Sequence, residues 1–136
     1  MDDLVQFLRN RLAEDAAIAQ AAASTEGGGT WEAASENGTP WVSGRAQSGE
    51  YAVPIVIEFE YGNPDDHQRA AHIARHDPAR VLREIDAKRS LLELAERAGD
   101  YHETFVNGFA AALESTLRLH AVAYTDHPDY RGTWRP

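Results

Sequence analysis

The Asn37-Gly38 step in "TWEAASENGTPWVSG" constrains this chain more than any other feature. It separates two short segments that each carry a tryptophan, and it supplies the residue pair that best tolerates the positive backbone angles of a two-residue hairpin turn. The spacing predicts strands near residues 30–35 and 40–44. A third strand is expected within "YAVPIVIEFEYG", which is rich in β-branched and aromatic residues. Pro54 has no N–H for a ladder, so that strand belongs at an edge or beside a bulge. Ile55, Ile57 and Phe59 alternate there with Val56, Glu58 and Glu60, giving one apolar face and one that turns acidic. The paired Glu58 and Glu60 read as a solvated surface.

On either side of this small sheet the apolar period becomes helical. Leu4, Val5, Leu8 and Leu12 recur at spacings of three and four, with Phe7 and Ile18 widening the stripe, so residues 2–23 read as a helix. Its alanine-rich end either packs closely against a neighbour or frays. The run Gly27-Gly28-Gly29 ends it and reads as a linker. A second helix is expected over 65–76, with Asn63 or Asp65 as cap and Pro64 near its start. A third, over 78–98, has Asp77 as cap, Pro78 in its first position, an apolar stripe through Val81, Leu82, Ile85, Leu92 and Ala95, and Gly99 as its stop. A fourth, over 101–122, opens on a capping box of Asp100 and Glu103 and carries Phe105, Phe109, Leu113 and Leu117 four apart. The tail 123–136 is rich in turn formers, yet its Tyr130 and Trp134 predict that it docks on the rest. The fold class is therefore α+β: a short antiparallel three-stranded sheet packed against three or four helices, in one domain spanning 1–136.

Charge and composition narrow the partners. With 22 acidic against 13 basic side chains the net charge is −9, which argues against broad attachment to nucleic acid or an anionic membrane. Cysteine is absent, so disulfides and thiolate sites are removed together, and any metal would rest on His, Asp or Glu. No segment reaches the roughly 18 consecutive apolar residues of a membrane span. The opening "MDDLVQFLRNRL" lacks the basic and apolar regions of a secretory signal, and a cytoplasmic setting is expected.

Three stretches, "MDDLVQFLRNRL", "HIARHDPARVLREIDAKRSLLE" and "LRLHAVAYTDHPDYRGTWRP", resemble a family of short uncharacterised proteins from actinobacteria and their phages, a domain of unknown function. The resemblance covers about half the chain. It implies a bacterial or phage origin and a cytoplasmic setting, and it brings no reaction, ligand or partner with it. His120 stands where relatives commonly have Leu and Ala123 where they have Pro, and the cysteine pair that many of them carry is missing.

Four groups of residues have chemistry to offer. His72 and His76, four apart on a helix, present the spacing by which two imidazoles reach one metal ion, with His120, Asp126 or His127 to complete the set. The competing reading makes "HDP" a joint: Pro78 ends the helix near His76, and Asp77 caps the next one. Arg75, Arg80, Arg83 and Arg131, with Tyr130 beside the last, could gather where "HDPAR" and "DHPDYR" meet and bind a phosphate or carboxylate, or simply pair with acids on solvated helix faces. Trp31, Trp41 and Tyr51 form either part of the core or an aromatic protein-binding patch. His120, on the face of Phe109 and Leu113, reads as an interior or boundary histidine.

No nucleophile elbow and no glycine-rich phosphate loop between strand and helix is present in the sequence. The expected function is a non-enzymatic protein-binding or regulatory protein whose partner is another protein or a second copy of the chain, without a cofactor. The alternatives are a zinc-dependent hydrolase built on His72, His76 and His127, and an acidic phage protein that imitates nucleic acid.

Overall fold

The computed structural model describes residues 1–45, 54–59, 63–99 and 104–136. Four helices and three strands follow in the order α1 (Asp2–Ala23), β1 (Trp31–Glu36), β2 (Thr39–Gly44), β3 (Ile55–Glu58), α2 (Asp66–Arg75), α3 (Pro78–Gly99) and α4 (Thr104–Ala121). The α+β class expected from the pattern is the class observed. The expected capping box at Asp100 and Glu103, together with Tyr51 and Glu60, lies outside the described residues. The chain divides into two compact units, Ala16–Glu84 and Met1–Asp15 with Ile85–Pro136.

The first unit, Ala16–Glu84, holds the sheet. Asn37 and Gly38 both take positive φ, 49° and 81°, as the two-residue hairpin requires. β1 and β2 pair antiparallel from Glu36↔Thr39 outward to Trp31↔Gly44. β3 takes the edge beside β2, as Pro54 demands, and the Pro54 carbonyl oxygen accepts the Gly44 N–H at 3.0 Å. A register shift between Val42 and Ser43 interrupts the β2–β3 ladder. This irregularity breaks the alternation expected of the third strand: Ile55 is exposed, while Val56 and Ile57 both pack against the core cluster. That cluster is Val42 from the sheet with Ala70 and Ala74 from α2, flanked by Trp31, Phe59 and Ile73.

The glycine run is a packed joint rather than a linker. The Gly29 carbonyl oxygen accepts the Ala79 N–H at 2.9 Å, and the Gly28 carbonyl accepts the Trp31 indole N–H at 2.8 Å. Gly27 has φ of 101°, and a Cβ placed on Gly44 would stand 2.6 Å from the Gly27 carbonyl oxygen. Glycine is required at both positions, at Gly27 by the backbone angle and at Gly44 by the close approach of another backbone. The alanine-rich end of α1 packs closely, since a Cβ on Gly29 would lie 3.1 Å from the Ala23 Cβ. Ile18, expected to widen the apolar stripe, instead points outward and is 71% exposed.

In the second unit the buried apolar side chains come from α1 (Leu4, Val5, Phe7, Leu8, Leu12), α3 (Ile85, Leu92, Ala95, Ala98), α4 (Leu113, Leu117, Ala121) and, in the closing segment, Trp134. The expected row on α4 is only partly interior: Leu117 is 1% exposed but Phe109 is 48% exposed. Each step of four residues turns a helix about 40° past a full turn, so a row of fours drifts off the buried face within two steps. None of the helices among the described residues is long and apolar enough to cross a membrane.

Candidate functional site

The "HDP" corner lies in the sheet-bearing unit and behaves as a joint. α2 ends at Arg75, and the His76 backbone N–H donates to the carbonyl oxygens of His72 and Ile73. His76 Nδ1–H also donates to the His72 carbonyl oxygen at 2.9 Å, and the two exposed imidazoles lie with centroids 4.4 Å apart, tilted by 38°. Asp77 is buried, and its two carboxylate oxygens have separate tasks. Oδ1 accepts the Arg80 N–H at 2.8 Å and caps α3; Oδ2 accepts the Trp31 N–H at 3.1 Å and ties that cap to the start of β1. Arg80 pairs with Glu84 at 2.8 Å and donates to the Arg75 carbonyl. Among the described residues no three His, Asp or Glu side chains converge as a metal-holding group.

The closing segment docks on α1 within the other unit. Phe7 is the platform, with Tyr124, His127, Tyr130 and Trp134 ringed around it at centroid distances of 4.9 to 6.2 Å. Arg11, one turn further along, is only 6% exposed. Its guanidinium lies 5.5 Å from the Phe7 centroid, donates to Glu14 and donates to His127 Nδ1 at 2.7 Å. Arginine can only donate, so His127 Nδ1 is the acceptor and the ring proton sits on Nε2. The Asp129 N–H shares the same Nδ1 at 3.1 Å. His127 Nδ1 thus has two donors directed at it, both from its own unit.

Tyr124 donates to Asp15 at 2.6 Å, and burial first, then that carboxylate, pushes its phenol above the ordinary range. Arg131 pairs with Asp3 at 2.6 Å and lies over Trp134. Arg75, Arg80 and Arg83 belong to one unit, Tyr130 and Arg131 to the other, and Arg80 and Arg131 each have an acid of their own unit as partner.

The sheet separates the two tryptophans expected to act together. Trp31 pairs with Gly44 and Trp41 with Ala34, and residues 31 and 34 are an odd number of steps apart, so the two indoles project from opposite faces. Trp31 shares the face of Val42 and joins the core cluster. Trp41 stands half-buried on the other face with Glu32, Glu36, Thr39 and, directly across on β3, Glu58. Among the described residues none of these three glutamates has an ion pair or hydrogen bond.

A profile of a family of unknown function, DUF6221, matches residues 1–136. The chain belongs to DUF6221. No curated protein and no solved structure matches it. The family match runs the whole length of this DUF6221 chain and so takes in the corner, the sheet and the closing segment alike.

Arg11, Glu32 and Glu36 went unnoticed in the sequence. The two glutamates are recoverable from it: once the turn is placed at Asn37-Gly38, the pairing fixes both on the face of Trp41. Arg11 has no such signal, because nothing in α1 announces that a distant segment will cover it.

His120 is half-buried on α4, and burial first, then the nearby Lys88 charge, lowers its pKa from the ordinary 6.5. The unfolded chain therefore holds this proton more tightly than the folded one. Above pH 6.5 the ring is neutral in both states; as pH falls below 6.5 the folded state is progressively penalised. His120→Gln should accordingly show a shallower loss of stability on acidification than the parent chain, read as urea midpoints at pH 7.5 and pH 5. Equal slopes for the two proteins would contradict this.

Proposed function

We propose that this DUF6221 chain is a non-enzymatic protein-binding module, of actinobacterial or phage origin and cytoplasmic setting, that meets its partner through the outer face of its sheet. The observation that carries the reading is Trp41, a large aromatic side chain left partly exposed on the face that does not carry the core cluster. Tryptophan is over-represented among the interface residues that dominate binding energy. Binding rather than catalysis is favoured by the employment of the reactive groups: both carboxylate oxygens of Asp77 accept backbone N–H groups, and His127 Nδ1 accepts from Arg11 and from the Asp129 N–H.

Capture of the partner from the native host by the tagged chain tests this. Thr39 is exposed on the same face, two residues from Trp41 on β2, so Thr39→Lys adds bulk and charge there without touching the core. Both Thr39→Lys and Trp41→Ala should weaken capture by about tenfold or more, the scale of one interface anchor. A partner retained equally by both variants would move the interface off the sheet.

A further inference from the structure

We infer that the partner segment seated on this face is cationic, and that it presents an arginine over the Trp41 indole. The inference rests on the sheet face being the binding surface and adds the chemistry of its occupant.

Antiparallel pairing sets the spacing. Trp41 has Ala34 on one side and Glu58 on the other. Direct cross-strand neighbours have Cβ atoms about 4.5–5.5 Å apart and diagonal ones about 7–8 Å. Glu58 is a direct neighbour, and Glu32 and Glu36, two residues either side of Ala34, are diagonal. The indole is thus flanked by carboxylates on both sides, and among the described residues none of them is neutralised by a basic partner. Three like charges on one face, in a chain of net charge −9, repel one another and gain from any cation brought among them.

The dimensions decide which cation. Neighbouring strands lie about 4.8 Å apart, so Glu58 on β3 and the two glutamates of β1 are separated by roughly twice that distance. Among the described residues no three His, Asp or Glu side chains group together as a metal-holding set. A guanidinium needs only one carboxylate and the ring. It is planar and stacks on an aromatic face while its edge donates to a carboxylate, a combination that lysine's ammonium supplies less well. An arginine-bearing segment laid on the face would place its cation on the indole with glutamates to either side.

The test is a titration of the full-length ¹⁵N-labelled chain with three peptides of equal length: arginine-rich, lysine-rich and glutamine-rich. The Trp41 indole signal is assigned by its disappearance in Trp41→Phe. Expected is a shift of that signal and of the 32–36 and 39–43 amides with the arginine peptide, a weaker response to lysine, and none to glutamine. Glu36→Gln with Glu58→Gln, both at exposed positions, should weaken the arginine peptide by about tenfold or more. Raising salt from about 50 mM to about 500 mM should do likewise. Equal shifts from the glutamine and arginine peptides, or indifference to the double substitution, would overturn the cationic assignment and leave the sheet as a binding face. An arginine peptide that shifts signals elsewhere and spares Trp41 would also overturn it. If, in addition, Thr39→Lys left capture of the host partner intact, the underlying reading would fall as well.

Discussion

Replacing Phe7 with alanine should cost the fold about 3–5 kcal/mol, the largest loss expected from any single truncation here. Phe7 is buried and is the common neighbour of four rings in the closing segment: Tyr124, His127, Tyr130 and Trp134. Three of these pairs are edge-to-face, an arrangement that contributes about 0.5–1.5 kcal/mol each beyond simple burial, which places the loss toward the upper end of that range. The cation of Arg11 also rests near the Phe7 ring, and it is buried. Truncation leaves that charge beside a cavity. The readouts are urea unfolding and amide exchange across residues 124–134, which should lose protection together. Phe7→Leu, which keeps most of the volume and none of the ring contacts, should fall between. A loss below about 1 kcal/mol with unchanged exchange would mean that the closing segment is held by its ion pair to Asp3 and the Tyr124 hydrogen bond to Asp15 rather than by the ring.

What the sequence made legible is what local chemistry determines. Asn37-Gly38 placed the turn, Pro54 sent β3 to the edge, and Asp77-Pro78 marked the joint between α2 and α3, because each requirement is met within a few residues. The docking of the tail was legible from its composition, since Tyr130 and Trp134 are too apolar to leave in water. Features that need two distant segments were not legible. The glycine run looks like a linker until α3 and β2 are laid against it, and Arg11 looks like a surface charge until His127 arrives. The candidate site stands between these cases. Trp41 was singled out but grouped with Trp31, although counting outward from the turn already sends them to opposite faces. Glu58 could not be placed beside Trp41 in advance, because the irregularity after Val42 shifts the β2–β3 register in a way that no strict alternation foretells.

The face that carries Trp41 is held in place from the other side of the sheet, and Asp77 is where that support is most concentrated. Asp77→Ala removes the cap of α3, a loss of about 0.5–2 kcal/mol. It also strips the Trp31 N–H of its acceptor at a half-buried strand end, which costs about 1–3 kcal/mol more. A total of about 1.5–5 kcal/mol is expected from chemical unfolding. Two milder variants separate the terms. Asp77→Ser keeps an oxygen suited to capping Arg80 but is one atom too short to serve β1 as well, and Asp77→Asn keeps a single acceptor where the carboxylate has two. Each should lose about half as much as alanine, with exchange of the Trp31 amide rising in the serine variant while that of Arg80 stays protected. Full stability in Asp77→Ser would mean that the tie to β1 contributes nothing. In that event the sheet, and Trp41 with it, would owe its position to α2 and the Ala79–Gly29 hydrogen bond instead.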